Sequence, residues 1–220
     1  AGVWAYPLQA ARLDGALALA PIFQSHASMP EPQPVRDLVL SVSAGLPKKN
    51  FPLVMDAMDR LEDLERWIVA ARSNGEEETI EDLTRMVAER DRPPNLRVNL
   101  PRADVFDLLS HGSAALYTVR DGEKMGMPMS IIEAMYAGCC VIHADREELR
   151  GVLGTSWRPY STADDIARHV REVMAGGPAI DKERAANRAF ATEHFCAPQL
   201  GQSFHADVSA AIERWRLAAG

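Results

Sequence analysis

Gly126-Met127-Pro128-Met129-Ser130-Ile131-Ile132-Glu133-Ala134-Met135-Tyr136-Ala137-Gly138-Cys139-Cys140-Val141-Ile142 is the stretch that decides the fold. Pro128 stands near a first helical turn, where its missing N–H costs nothing, and residues 128–137 read as a helix. Residues 140–144 follow as an apolar run of strand length. Glu133 is the only charge between positions 127 and 137. An ionised carboxylate is seldom buried without partners, so it marks either a binding group or the exposed stripe of an amphipathic helix. Its flanks, Ile132 and residues 134–137, leave little polar stripe to join, which favours binding. Gly126 lies just before the helix. A residue without Cβ lets backbone approach a ligand, and the free N–H groups of the first turn point at it.

Outward from this stretch, short β-rich runs alternate with helical periods. Strands are expected at 38–42, 67–71, 96–100, 114–118 and 140–144. Phe51, Val54, Met55, Met58 and Leu61 recur at helical spacing, and Ile80, Leu83, Met86 and Val87 mark a second helix. Glu76, Glu77 and Glu78 suit the solvated start of that helix. A short helix is expected at 105–109. Thr162 and Asp165 form a capping box for a helix through Met174, and closing helices are expected at 181–194 and 199–217. Strand and helix in alternation with short connections mean parallel strands and right-handed crossovers. The fold class is therefore α/β, a Rossmann-like doubly wound parallel sheet. Ligands in such sheets sit beyond the carboxyl ends of the strands, which draws attention to the loops 43–50, 119–127 and 145–149. Residues 1–36 show no clean period and read as an irregular interdomain segment or the edge of a missing N-terminal lobe. The domain proper spans 37–220.

Composition narrows the function classes. The net charge of −7 over 220 residues is not the basic footprint of a nucleic-acid binder or a polybasic membrane patch. No apolar run reaches the length of a transmembrane segment. The stretch 13–23 is broken by Asp14, Gly15 and Pro21 and lacks the positive start of a secretory signal. Cys139, Cys140 and Cys196 make no disulfide framework, which fits a reducing, cytoplasmic location. The chain opens on Ala1, and we expect it to be part of something longer. His111, His143 and His205 are scattered, no Cys/His cluster has zinc spacing, and no metal is expected. Neither G-x-G-x-x-G nor G-x-x-x-x-G-K-[ST] occurs.

The stretch from Gly126 resembles the signature of retaining glycosyltransferases of family 4, roughly E-G-x-P-x-x-x-x-E-A-M-A-x-G-x-P-V-I. It matches at Gly126, Pro128, Glu133-Ala134-Met135, Gly138 and Val141-Ile142, and Asp121-Gly122-Glu123-Lys124 looks like the lead-in of many relatives. Leu40-Ser41-Val42 through Pro47-Lys48-Lys49-Asn50-Phe51 is similar to the family's first strand and phosphate loop, V-G-R-L-x-x-x-K-G. The resemblance spans about residues 37 to 175, with the closing helices in place.

The resemblance implies the C-terminal, nucleotide-sugar-binding lobe of a two-lobed GT-B fold. The activity implied is transfer of a sugar from a nucleoside diphosphate to an acceptor with retained configuration, without a protein nucleophile or tightly bound cofactor. Nucleoside-diphosphate sugar is the implied donor, and acceptor contacts fall to the missing N-terminal lobe. Lys49 becomes the catalytic cation, stabilising charge on the departing diphosphate. Gly126, Met127 and Pro128 would hold the diphosphate, and Glu133 would accept hydrogen bonds from the ribose hydroxyls. Ala44 stands where the family has arginine, and Met125 where it has its first glutamate. Glu123 and Lys124, or Arg120, lie close enough in sequence to take part in donor binding in their stead. Two other readings remain: a non-catalytic binding or scaffold domain with a degenerate donor site, and a sugar-nucleotide epimerase of the same architecture.

Overall fold

The computed structural model describes residues 3–5, 16–18, 37–71, 77–123, 129–153, 157–195, 209–210 and 212. The chain divides into two compact units, Met29–Ala189 and a second formed by Ala1–Ser28 with Phe190–Gly220. In the second unit β1 (Val3–Ala5) and β2 (Ala16–Ala18) pair in parallel.

The larger unit carries the sheet. Its strands are β3 (Leu38–Ala44), β4 (Glu65–Ala71), β5 (Asn95–Val98), β6 (Ala114–Tyr117), β7 (Cys140–Ala144) and β8 (Pro159–Tyr160). They lie in the order β5-β4-β3-β6-β7-β8, every neighbouring pair parallel. The connecting helices are α1 (Phe51–Asp59), α2 (Glu77–Ala88), α3 (Arg102–His111), α4 (Met129–Tyr136), α5 (Arg150–Leu153), α6 (Ala163–Met174) and α7 (Pro178–Phe195). This is the Rossmann-like α/β arrangement expected.

The alternation of side chains along the strands explains the layering. Val39, Ile68, Ala70, Ala114, Leu116, Cys140 and Ile142 join one core with Val54, Met55 and Met58 of α1, Leu83 of α2 and Ile166 and Val170 of α6. The opposite parity serves the other side: Leu40 sits beneath Gly112, where an added Cβ would stand 2.4 Å from its Cδ1. Leu38, Val39 and Leu40 are fully buried, as strands covered on both faces require. Cys139 and Cys140 are buried free thiols whose pKa burial pushes up to about 12, which makes them inert packing groups.

Some boundaries differ from expectation for local reasons. The third strand stops at Val98 rather than residue 100, because Asn99 adopts a left-handed φ of 56° and turns the chain. The helix expected at 105–109 extends over Arg102–His111. The strand β8, the helix α5 and the 3-10 turns Pro47–Lys49 and Glu147–Leu149 were not foreseen. The first closing helix is longer than expected; of the second, at 199–217, only Ser209, Ala210 and Ile212 are described, all helical.

Helix α6 begins with the expected capping box: Asp165 N–H donates to Thr162 Oγ1 at 3.1 Å, and Thr162 N–H donates to Asp165 Oδ2 at 3.0 Å. Its far end is tied to the α1 side of the domain by Arg171, which donates to both oxygens of Asp63 at 2.9 Å. Thr162→Ala is expected to cost about 1 kcal/mol of stability. A urea unfolding midpoint equal to that of the parent would show that the cap is redundant.

Candidate functional site

The carboxyl ends of β3, β4 and β6 open into a cavity of about 480 Å³. Its position is the one a doubly wound sheet dictates, between strands whose connections leave in opposite directions. Strand β3 contributes Val42, Ser43 and Ala44, and β6 contributes Tyr117. Lys48 and Lys49 enter from the turn after β3, Arg102 from the start of α3, and Ser130 and Glu133 from α4.

Lys49 reaches its place because Pro47 starts a 3-10 turn and Asn50 closes it in the left-handed region at φ 53°. Its ammonium stands 4.3 Å from the centre of the Tyr117 ring, a cation–π contact. Burial, reinforced by Lys48, lowers its pKa from 10.5 to about 8. The Tyr117 phenol moves the other way, to about 12, because burial disfavours its anion.

Glu133 is 7% exposed and lies on the cavity wall, so the carboxylate that stands alone in the sequence is a buried group. Burial raises its pKa, and the Arg102 guanidinium works against that shift. Arg102 Nη2 donates to Glu133 Oε1 at 2.6 Å. This partner was missed in the sequence, where thirty-one positions separate the two residues. Ser43 was missed as well: its hydroxyl is buried on the cavity wall and has no hydrogen-bond partner among the described residues.

Hydrogen bonds join the loops expected to matter. Arg120 N–H donates to Lys48 O at 2.9 Å, and Arg146 Nη2 donates to Arg120 O at 2.8 Å. The Thr118 hydroxyl donates to Lys49 O, and Val119 N–H donates to the Tyr160 hydroxyl at 3.2 Å. The loops 43–50, 119–127 and 145–149 therefore share hydrogen bonds through their described residues. Lys49 and Glu133 are thus brought to one cavity. Glu123 is exposed on the turn after β6 and is not among the lining residues. Lys124, Met125, Gly126, Met127 and Pro128 lie outside the described residues. Ala44 lines the cavity with no charge to offer. Among the described residues no cluster of three or more His, Cys, Asp or Glu side chains is set to hold a metal, and no helix is long and apolar enough to cross a membrane.

The model of the family described as glycosyl transferases group 1 matches residues 36–176. The chain belongs to that family. Solved structures share the fold. The sucrose-phosphate synthase of Thermosynechococcus elongatus is 17% identical and has a TM-score of 0.67, over 94% of this chain and 54% of that one. Anabaena HepE in complex with UDP and glucose is 17% identical at a TM-score of 0.63, over 79% of this chain and 48% of that one. A glycosyltransferase from Rickettsia africae is 14% identical at 0.64, over 80% and 48%. The chain thus spans about half the length of these solved glycosyltransferases. No curated protein matches the sequence. The matched residues include all six strands of the larger sheet and every residue lining the cavity, so the cavity belongs to a glycosyltransferase-like domain, and the scaffold reading is not favoured.

A buried hydroxyl without a partner costs about 1–3 kcal/mol of desolvation, which a ligand in the cavity would recover. Ser43→Ala should therefore raise the urea midpoint of the ligand-free protein by about 1 kcal/mol equivalent. A lowered midpoint would mean that the hydroxyl already has a partner.

Proposed function

We propose that this chain is the donor-binding lobe of a retaining glycosyltransferase of family 4, taking a nucleoside-diphosphate sugar at the carboxyl ends of β3 and β6. The observation that carries the reading is the pair Lys49 and Glu133 on one cavity wall, a cation suited to phosphate and a buried acceptor suited to ribose hydroxyls. Anabaena HepE, which shares the fold, has been solved with UDP-glucose, and that supports the donor class. In this reading the domain occupies residues 37–220, residues 1–36 are an interdomain segment or the edge of the other lobe of a GT-B enzyme, and that lobe supplies the acceptor contacts. The protein works in the cytoplasm and has no nucleic-acid partner.

The chemistry follows from the electrostatics. As the bond between the anomeric carbon and the diphosphate breaks, negative charge grows on the departing phosphate oxygens. A preorganised cation in a partly desolvated site stabilises that charge more than water would. Lys49 is such a cation, held on the Tyr117 ring. Glu133 accepts from the ribose and fixes the nucleotide, so that the diphosphate meets Lys49 and the N-terminal end of α4, whose first-turn N–H groups would face it. The leaving phosphate takes the acceptor's proton as the new bond forms on the same face, which retains configuration without a protein nucleophile.

A ligand at a hundred times its dissociation constant adds about 2.7 kcal/mol of stability. A melting screen with UDP, GDP and ADP should single out one of them. Unshifted melting with all three at millimolar concentration would remove the donor site from consideration.

Lys49 also sets a pH dependence. An anion beside it favours the protonated form, so affinity is full below its free pKa of about 8 and declines as pH rises through that value. An ordinary lysine, with a pKa of 10.5, would stay charged well above that pH. The affinity ratio of parent to Lys49→Met should fall as pH passes 8, as read by calorimetric titration. A ratio constant from neutral pH upward would take Lys49 out of the phosphate site.

A further inference from the structure

Arg102 opens α3, and its guanidinium spans to α4 to reach Glu133. Its side chain is half exposed, while that of Glu133 is 10% exposed, so the pair lies at the boundary between core and cavity. One helical turn further along α3, the Phe106 ring lies beneath the same guanidinium, 4.8 Å from its centre. The cation is therefore supported from its own helix as well as by the carboxylate.

Glu133 needs Arg102 more than the reverse. Burial favours a neutral, protonated carboxyl, and a protonated carboxyl carries a donor where a hydroxyl-binding site needs acceptors. Among the described residues Arg102 is the one cation in ion-pair reach of this carboxylate. The other titratable groups on the cavity wall are Lys48, Lys49 and Tyr117, and Lys49 is seated on the Tyr117 ring. The contact takes Oε1, which also fixes the orientation of the carboxylate plane.

We propose that Arg102 is a positioning residue for nucleotide binding: it keeps Glu133 ionised and orients it by holding Oε1, so that the carboxylate can accept from a ligand hydroxyl pair. The inference rests on the reading of Glu133 as the ribose acceptor. It assigns to an arginine on a separate helix, not to the neighbours of Glu133 in sequence, the control of that site.

The test is a double-mutant cycle read by calorimetric titration of the whole chain with UDP, GDP and ADP. For the nucleotide that binds the parent, Arg102→Ala should weaken affinity roughly tenfold, the scale of one charge-assisted hydrogen bond. Arg102→Lys, which keeps the charge, should recover most of the loss. In a Glu133→Gln background, where there is no charge to maintain, Arg102→Ala should change affinity little. Arg102→Gln keeps length and a donor without the charge, and replaces the alanine variant if that one melts early. An equal loss in both backgrounds would mean that Arg102 touches the ligand directly, and no loss in either would mean that it does not act on the site. Both results overturn the proposal. If none of the three nucleotides binds the parent, the donor reading falls first and this inference falls with it, an outcome distinct from a parent that binds and a cycle that shows no coupling.

Discussion

Strand β3 takes a parallel partner on each side, β4 through Leu38 to Ala44 and β6 through Val39, Leu40 and Ser41. The chain runs outward to β4 and β5 on one side and to β7 and β8 on the other. No crossover covers the line between β3 and β6, and the gap at their carboxyl ends becomes the cavity. The register is firmly set. Slipping β3 by one residue would exchange Val39, which packs toward α1, with Leu40, which packs toward Gly112. Since both faces are covered, such a slip would disturb two cores at once. The positions of Ser43, Ala44 and Tyr117 at the cavity follow from that constraint.

The cavity imposes opposite demands on its two principal charges. Burial draws the Lys49 pKa down and the Glu133 pKa up, so each group is pushed toward neutrality when the site holds no ligand. The protein offsets this unequally. Lys49 receives an aromatic face, which tolerates a cation without pairing it, and Glu133 receives a full counter-charge from Arg102. A lysine with no carboxylate paired to it among the described residues retains its capacity to meet phosphate. A glutamate with one oxygen engaged retains acceptor capacity for hydroxyls. The asymmetry fits a ligand whose charge lies at one end and whose hydroxyls lie at the other.

Much of this was readable in the sequence, and the exceptions have physical causes. The strands at 38–42 and 140–144 declared themselves because parallel strands buried on both faces are continuous apolar runs. Thr162 and Asp165 declared the start of α6 because a capping box is local chemistry. Glu133 stood out because an apolar helix gives a lone carboxylate no stripe to join, and Lys49 only through its likeness to a phosphate loop. Arg102 carried no such mark. Its meaning arises when α3 and α4 pack side by side, a relation that periodicity within one helix does not encode. Ser43 likewise resembles any strand-end serine until the described residues around it are known to offer no partner. Strand β8 escaped notice because it comprises Pro159 and Tyr160 alone, and proline seldom announces a strand.

That short strand shows how far the site depends on the edge of the sheet. Pro159 has no N–H, so the ladder with β7 lacks a donor where it begins. His143 makes up the deficit: its backbone N–H donates to Arg158 O at 3.1 Å, and its ring Nε2 accepts from Arg158 N–H at 3.1 Å. An accepting Nε2 puts the proton on Nδ1, which lies 2.8 Å from Ala144 O, so the imidazole is held neutral, in line with a pKa lowered by burial. Arg158 is anchored in turn by Glu183 at 2.7 Å and Glu172 at 3.1 Å. What this bracing delivers is the Tyr160 hydroxyl, which accepts from the amide of the buried Val119. Without it that amide would face the interior unpaired, next to the residue whose hydroxyl supports the Lys49 carbonyl. A neutral histidine on β7, one strand in from the edge of the sheet, thus helps to settle where the lysine of the cavity stands.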